Sequence, residues 1–173
     1  MLHNKNNCRF APLKILRLKN KIVDTLSYKT LSVNKENADK KWWIVDAEGQ
    51  TLGRMASKVA KVLRGKYKVN FTPHADCGDY VIILNAGKIV MSGNKMQDRQ
   101  IFSHTGYPGG QKRISPLEML AKDETSVVKH AIRGMLPKNK LGRQIIKNCH
   151  IYAGSDHEQE AQKPQLLNLN ELK

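Results

Sequence analysis

Residues 42–68 read WWIVDAEGQTLGRMASKVAKVLRGKYK, and this stretch constrains the fold more than any other. Trp42, Trp43, Ile44 and Val45 form a short aromatic and β-branched run that favours a buried strand. The next four residues end at Gly49, which can take a turn conformation that a side chain would penalise. Thr51 stands where a helix cap belongs, although no Glu or Gln three residues later completes a capping box. Leu52, Met55, Ala56, Val59, Ala60 and Leu63 then recur at steps of three and four, so they share one helical face. Gly65 is placed to end that helix.

The other faces of this helix carry Arg54, Lys58, Lys61 and Arg64, and Lys66 and Lys68 follow it. No acid lies between Gly49 and Asp76, whereas an ordinary solvated surface mixes both signs. The imbalance extends to the whole chain: 30 Lys and Arg oppose 15 Asp and Glu, a net charge of +15. Residues 49–147 account for +12, from eighteen cations and six acids, and residues 1–22 for +6, so the remainder carries −3. The positive potential therefore belongs to the body of the protein and favours a polyanionic partner, nucleic acid ahead of a membrane surface. No long uninterrupted apolar run is present to span a bilayer. Cys8, Cys77 and Cys149 are widely spaced and odd in number, which suits a reducing compartment and not a disulfide framework.

Beyond the helix, residues 70–79 contain Pro, Gly and Asp and read as a structured loop. Residues 80–85, YVIILN, read as a fully buried strand, and 89–91 as a short continuation after a turn. A strand, a helix and a second buried strand point to an α/β fold with parallel pairing. The expected architecture is one three-layer α/β/α domain with a short, mostly parallel sheet and extended terminal arms. Residues 92–95 should form a polar loop ending on Lys95, and 101–105 another short strand. The glycine-rich stretch 104–113 should be a shaped loop armed by Lys112 and Arg113. Ser115, Pro116 and Glu118 mark the strongest helix start in the chain, and Asp123 divides two helical pieces. A third basic loop is expected over 134–143, then a short helix near Leu141, Ile145 and Ile146 and an edge strand over 150–153. The domain organisation is a basic leader or misassigned N-terminal extension over 1–23, a polar arm over 24–41, a core over 42–154 and an extended tail over 155–173.

Three kinds of chemistry compete for these residues. His74, Cys77, His104, Cys149 and His150 lack paired CxxC or HExxH spacing, so no metal site is expected. A nucleotide-binding α/β enzyme acting on RNA is the more serious rival, yet Gly49-x-x-x-Gly53-Arg54 has neither P-loop nor dinucleotide spacing. No spacing selects a catalytic triad, and no cofactor is called for. RNA binding needs cations on preshaped loops, and four stretches supply them: 54–68, Lys95 with Arg99, 104–113 and 133–143. Arg54 and Arg143 can hold phosphates bidentately. Tyr67, Phe71, Tyr107 and Tyr152 have the chemistry to stack on bases, and each is equally suited to core packing.

Several ordered motifs now add up to a resemblance. They are VDAEGQTLGR at 45–54, LRGK at 63–66, TPHADCG at 72–78, ILNA at 83–86, SGNK at 92–95, HTGYPGG at 104–110, RGMLPKNKLGR at 133–143, YAG at 152–154 and AQKP at 161–164. Together they closely resemble the bacterial-type large-subunit ribosomal protein family numbered thirteen, over residues 24–170. The resemblance implies an α/β core that binds large-subunit ribosomal RNA, a role in early subunit assembly, no catalytic activity and a ribosome-bound, cytoplasmic location. The implied partners are that RNA and neighbouring large-subunit ribosomal proteins, with no membrane and no obligate homo-oligomer.

Carried over by position, the implied RNA-facing residues are Arg54, Lys58, Lys66, Lys95, His104, Tyr107, Lys112, Arg133, Lys138 and Arg143. Charge placement adds Lys61, Arg113 and Lys140. The chain departs from the family's usual His-Pro-His before AQKP, carrying His157, Glu158 and Gln159, and Glu158 would face phosphate poorly. Residues 1–22 lie outside the usual family start.

Overall fold

A computed structural model describes residues 32–34 and 37–169. The leader, residues 24–31 and 35–36 of the arm, and the last four residues of the tail lie outside the described residues. The described chain runs β1 (Trp42–Asp46), α1 (Leu52–Arg64), β2 (Tyr80–Leu84), α2 (Lys95–Asp98), β3 (Ile101–His104), β4 (Gln111–Ile114), α3 (Pro116–Lys122), α4 (Ser126–Met135), α5 (Lys140–Ile145), β5 (Cys149–Ile151) and β6 (Gln165–Leu166). Short 3-10 turns occupy Ala86–Lys88, Ile146–Asn148 and Glu160–Gln162.

The fold is α/β, with a four-stranded sheet in the order β5-β2-β1-β6 and every pairing parallel. The β1–α1–β2 unit sets this arrangement, because parallel neighbours need a crossover long enough to carry a helix. Trp43 pairs with Val81 and Val45 with Ile83, so the period of two puts these four on one face. Cys149 and Ile151 of β5 join them through the β2 register. Against this face pack all six residues of the α1 stripe read from the sequence, with Val62 in addition, then Val127, Val128 and Ile132 of α4 and Ile145 of α5. Each fully buried Val, Leu or Ile is worth about 1.5–3 kcal/mol over its exposed state, so this face dominates the stability of the unit. On the opposite face Trp42 stacks on Tyr80 at 4.4 Å and on His150 at 5.5 Å.

The ends of α1 are fixed differently from each other. Thr51 holds extended backbone at the N-cap and makes no side-chain cap bond. It instead forms a parallel bridge with Val90, and Leu52 N donates to Val90 O at 3.0 Å. The expected strand continuation at 89–91 thus reduces to this single bridge, since Asn85 takes a left-handed conformation and turns the chain out of β2. At the other end Gly65 is left-handed, φ 76°, as the sequence predicts. Gly65 N donates to Val62 O and Lys66 N to Lys61 O, which satisfies the last carbonyls of the helix. The 70–79 loop then returns so close that a Cβ on Gly78 would lie 1.7 Å from Leu63 O.

That loop delivers Asp79, which has no solvent exposure. Its carboxylate accepts from Lys41 N at 3.0 Å, Trp43 Nε1 at 2.8 Å, Lys68 Nζ at 2.5 Å and the Tyr67 hydroxyl. Burial pushes this acid up, but the bonds from Lys68, Tyr67, Lys41 and Trp43 outweigh it and hold it below the usual carboxylate range. Burial and the neighbouring Asp79 together push the Tyr67 hydroxyl well above its ordinary value.

Two of the expected basic loops are more regular than the sequence suggests. Residues 111–114 form β4, which pairs antiparallel with β3, so the 104–113 stretch is a hairpin. Gln111, Lys112 and Arg113 are polar and exposed and show no alternation from which a strand could be read. Arg133, Gly134 and Met135 belong to α4, and Lys140 to Arg143 belong to α5, leaving 136–139 as the connection. Asn139 opens α5 by accepting from Gly142 N at 2.8 Å. Ser115 caps α3, accepting from Glu118 N, and Asp123 ends it, both as expected. The edge strand expected at 150–153 is β5, which starts one residue earlier and ends at Ile151.

Candidate nucleic-acid interface

The first turn of α1, the short helix α2 and the last turns of α4 enclose an open cleft of about 540 Å³. Arg54 enters it from α1, Lys95 and Arg99 from either end of α2, and His130 from α4. All four are exposed. Lys95 Nζ is steadied by Ser92 Oγ at 3.1 Å. No Asp or Glu is among the described lining residues, and Asp98, beside Arg99 at the end of α2, lines the depression next to it instead. A second, shallower depression, lined by Ser92, Gly93, Asn94, Lys95, Asp98 and Arg99, continues from it.

Gly53 and Gly134 lie on the wall, and a Cβ at either would meet nothing within 4 Å. Their backbones are therefore open to a ligand's close approach. Val90 and Met135 also line the cleft and are each 45% exposed. The cleft thus combines a cationic rim with an apolar wall. Arg99, named with Lys95 as one of the four basic stretches, belongs to it, and so does His130, which the sequence reading does not single out. For His130 a signal was readable: it precedes Gly134 by four residues on α4, which puts both on one helical face.

Lys58 is placed differently from Arg54. It is half-buried, and its Nζ donates to the carbonyl of Leu169 in the tail. Lys61 and Lys66 are exposed along and beyond α1. Arg64 lies over the ring of Phe71 at 5.7 Å.

The β3–β4 hairpin forms a second basic element. His104, Tyr107, Lys112 and Arg113 are all exposed on it, Tyr107 to 75%. Arg113 lies over the ring of Phe102, its cross-strand partner, at 5.4 Å. His104 Nδ1 accepts from Gly106 N at 2.9 Å, fixing the turn that carries Tyr107. Arg133, Lys138, Lys140 and Arg143 form a third group at the α4–α5 corner, all exposed.

Several motif residues serve the fold. Asn85 donates to Asp46 Oδ1 at 2.9 Å, and this bond is the main reason the Asp46 acid lies below its ordinary range. Asp76 pairs with Lys40 at 2.6 Å and accepts from Asn148 at 3.0 Å. The Cys149 thiol is pushed up to about 12 by burial, so it remains protonated at neutral pH. Among the described residues no group of three His, Cys, Asp or Glu is placed to hold a metal ion, and no helix is long and apolar enough to cross a membrane.

An α/β unit with exposed cations on a hairpin, a helix corner and an acid-free cleft is built as a polyanion-binding protein. Comparison with known proteins makes this particular: the chain belongs to the ribosomal protein L13 family, whose model matches residues 40–158. It is 53% identical over 139 residues to the large ribosomal subunit protein uL13 of Symbiobacterium thermophilum, covering 80% of this chain and 97% of that one. The uL13 proteins of Spiroplasma citri and Thermoanaerobacter pseudethanolicus are 52% and 48% identical, covering 81% and 82% of this chain and 96% and 99% of theirs.

Proposed function

We infer that this protein is a structural constituent of the large ribosomal subunit, where it binds large-subunit ribosomal RNA and supports early assembly of the subunit. The family supplies the setting, and the acid-free cleft at Arg54, Lys95 and Arg99 is the observation that carries the RNA reading. We assign the RNA contacts to Arg54, Lys95 and Arg99 at the cleft, and to His104, Tyr107, Lys112 and Arg113 on the hairpin. Arg133, Lys138, Lys140 and Arg143 at the helix corner and Lys61 and Lys66 beside α1 complete the set. Lysines supply salt-dependent attraction to phosphates, and arginines add bidentate geometry. Lys58 acts first as a clamp on the tail, since its ammonium is engaged by Leu169.

In this reading residues 42–154 are the RNA-binding body, and the protein works in the cytoplasm as a bound part of the ribosome. It meets neighbouring ribosomal proteins there and does its work by binding, not by catalysis. Co-sedimentation with large subunits after a high-salt wash tests the placement. Retention through the wash is expected; complete release into the supernatant, with the protein folded, would reject it.

A further inference from the structure

We propose that the cleft between α1, α2 and α4 receives a single nucleotide of the bound RNA, turned out of its stack. Its phosphate lies at Arg54, Lys95 and Arg99, and its ribose and base lie against Val90, Met91 and Met135. The proposal rests on the ribosomal RNA reading above and deepens it.

The two halves of the lining point to the two halves of this ligand. Arg54, Lys95 and Arg99 line one cleft whose described lining holds no acid, Asp98 facing the adjoining depression, and three such cations suit a phosphodiester. A phosphate alone would not need the apolar wall, yet Val90 and Met135 stand 45% exposed there with Met91 beside them. An apolar ligand would not need the cations. A volume of about 540 Å³ falls within the range of small-molecule sites, roughly 300–1,000 Å³, and admits a nucleotide but not a duplex. Gly53 and Gly134 keep the wall free of side chains where the backbone of the ligand would pass. Unstacked nucleotides are the part of a folded RNA that proteins read most readily, because the base face and edges are available.

Filling the cleft without altering its charge tests the proposal. Met135→Trp places an indole in the cleft from an exposed position, and Gly134→Leu does the same from the next residue should the first variant fold poorly. The full chain is measured for binding to transcribed large-subunit ribosomal RNA across a salt series, with melting temperature as the folding control. Adenosine and uridine monophosphates are added as competitors. A loss of at least tenfold in affinity by the folded filling variant is expected, with no competition by millimolar mononucleotide. Wild-type affinity in a folded filling variant would overturn the proposal and leave the ribosomal RNA reading standing. Failure of the wild-type chain to bind that RNA would instead reject the reading beneath it. Competition by micromolar mononucleotide would assign the cleft to a free nucleotide and overturn its RNA origin.

Discussion

The indole of Trp43 donates to Oδ2 of Asp79 at 2.8 Å, joining the first strand of the sheet to the residue just ahead of its neighbour. Lys68 reaches the other oxygen of the same carboxylate at 2.5 Å. Asp79 therefore ties β1, the end of the α1 region and the start of β2 to one buried point. Asp79→Ala is expected to cost about 3–5 kcal/mol, because it leaves several donors without their buried acceptor. Urea unfolding measures this, and a loss below 1 kcal/mol would remove Asp79 from the centre of the network.

The same residue predicts a pH dependence. Its folded acid constant is depressed, so its stabilisation is present above the unfolded value and is lost as pH falls through the folded one. Melting temperature should fall as pH drops below about 4, the ordinary carboxylate range. Asp79→Asn should start lower and fall less over that window. Parallel curves for the two proteins would refute the assignment.

Gly78 and Gly53 should respond oppositely to alanine. A Cβ on Gly78 would meet Leu63 O at 1.7 Å, backbone against backbone, so Gly78→Ala is expected to lose about 3 kcal/mol or more. Gly53 is in α1 with open space around it, so Gly53→Ala should gain up to about 1 kcal/mol from helix propensity. Thermal unfolding of the two variants distinguishes these signs.

Lys58 and Arg54 lie one turn apart on α1, but they should behave differently toward RNA. Arg54→Gln is expected to reduce the slope of log affinity against log salt by about 0.7–0.9, the equivalent of one phosphate. Lys58→Gln should change that slope by less than about half as much and should destabilise the fold by about 1.5 kcal/mol, because its ammonium holds Leu169 O. Equal slopes for the two variants would place Lys58 on the RNA after all.

The hairpin offers a test in which stability and binding separate. Phe102 and Tyr107 are 57% and 75% exposed, so a double change to Ser should leave folding within about 0.5 kcal/mol. Loss of base stacking or of its support by Arg113 should weaken RNA binding by several-fold or more, as filter binding would show.

The parts of this fold that were legible in the sequence are those where local chemistry and tertiary packing agree. The α1 stripe, the β1 and β2 runs, the Gly65 terminus and the Ser115 cap each follow from residue type and spacing alone. Thr51 stands at the N-cap as its position suggests, but it makes no side-chain cap bond and bridges instead to Val90, a partner that no local signal announces. Strand β4 escaped because QKRI pairs with β3 without burying a face. Strand β6 escaped for a related reason: two residues in a polar tail acquire strand geometry only by reaching β1. For the candidate interface, charge runs located Arg54, Lys95 and the basic corner. The meeting of Arg54 and Lys95 with His130 in one cleft depends on how α1, α2 and α4 pack, which periodicity does not encode. The resemblance names Lys58 as RNA-facing, and no local signal shows its tail acceptor, Leu169, 111 residues away.

The pairing of β6 with β1 has a bearing on synthesis. Strand β2 follows β1 after one helix and a loop, but the strand that covers the other edge of β1 begins far later in the chain, at residue 165. Until that residue is made, Trp43 and Ile44 present unpaired backbone along one side. An uncovered strand edge invites pairing with another chain. The described sheet is therefore completed only when β6 is made, and a chain lacking residues 165–166 carries an adhesive edge on β1 that β6 otherwise covers.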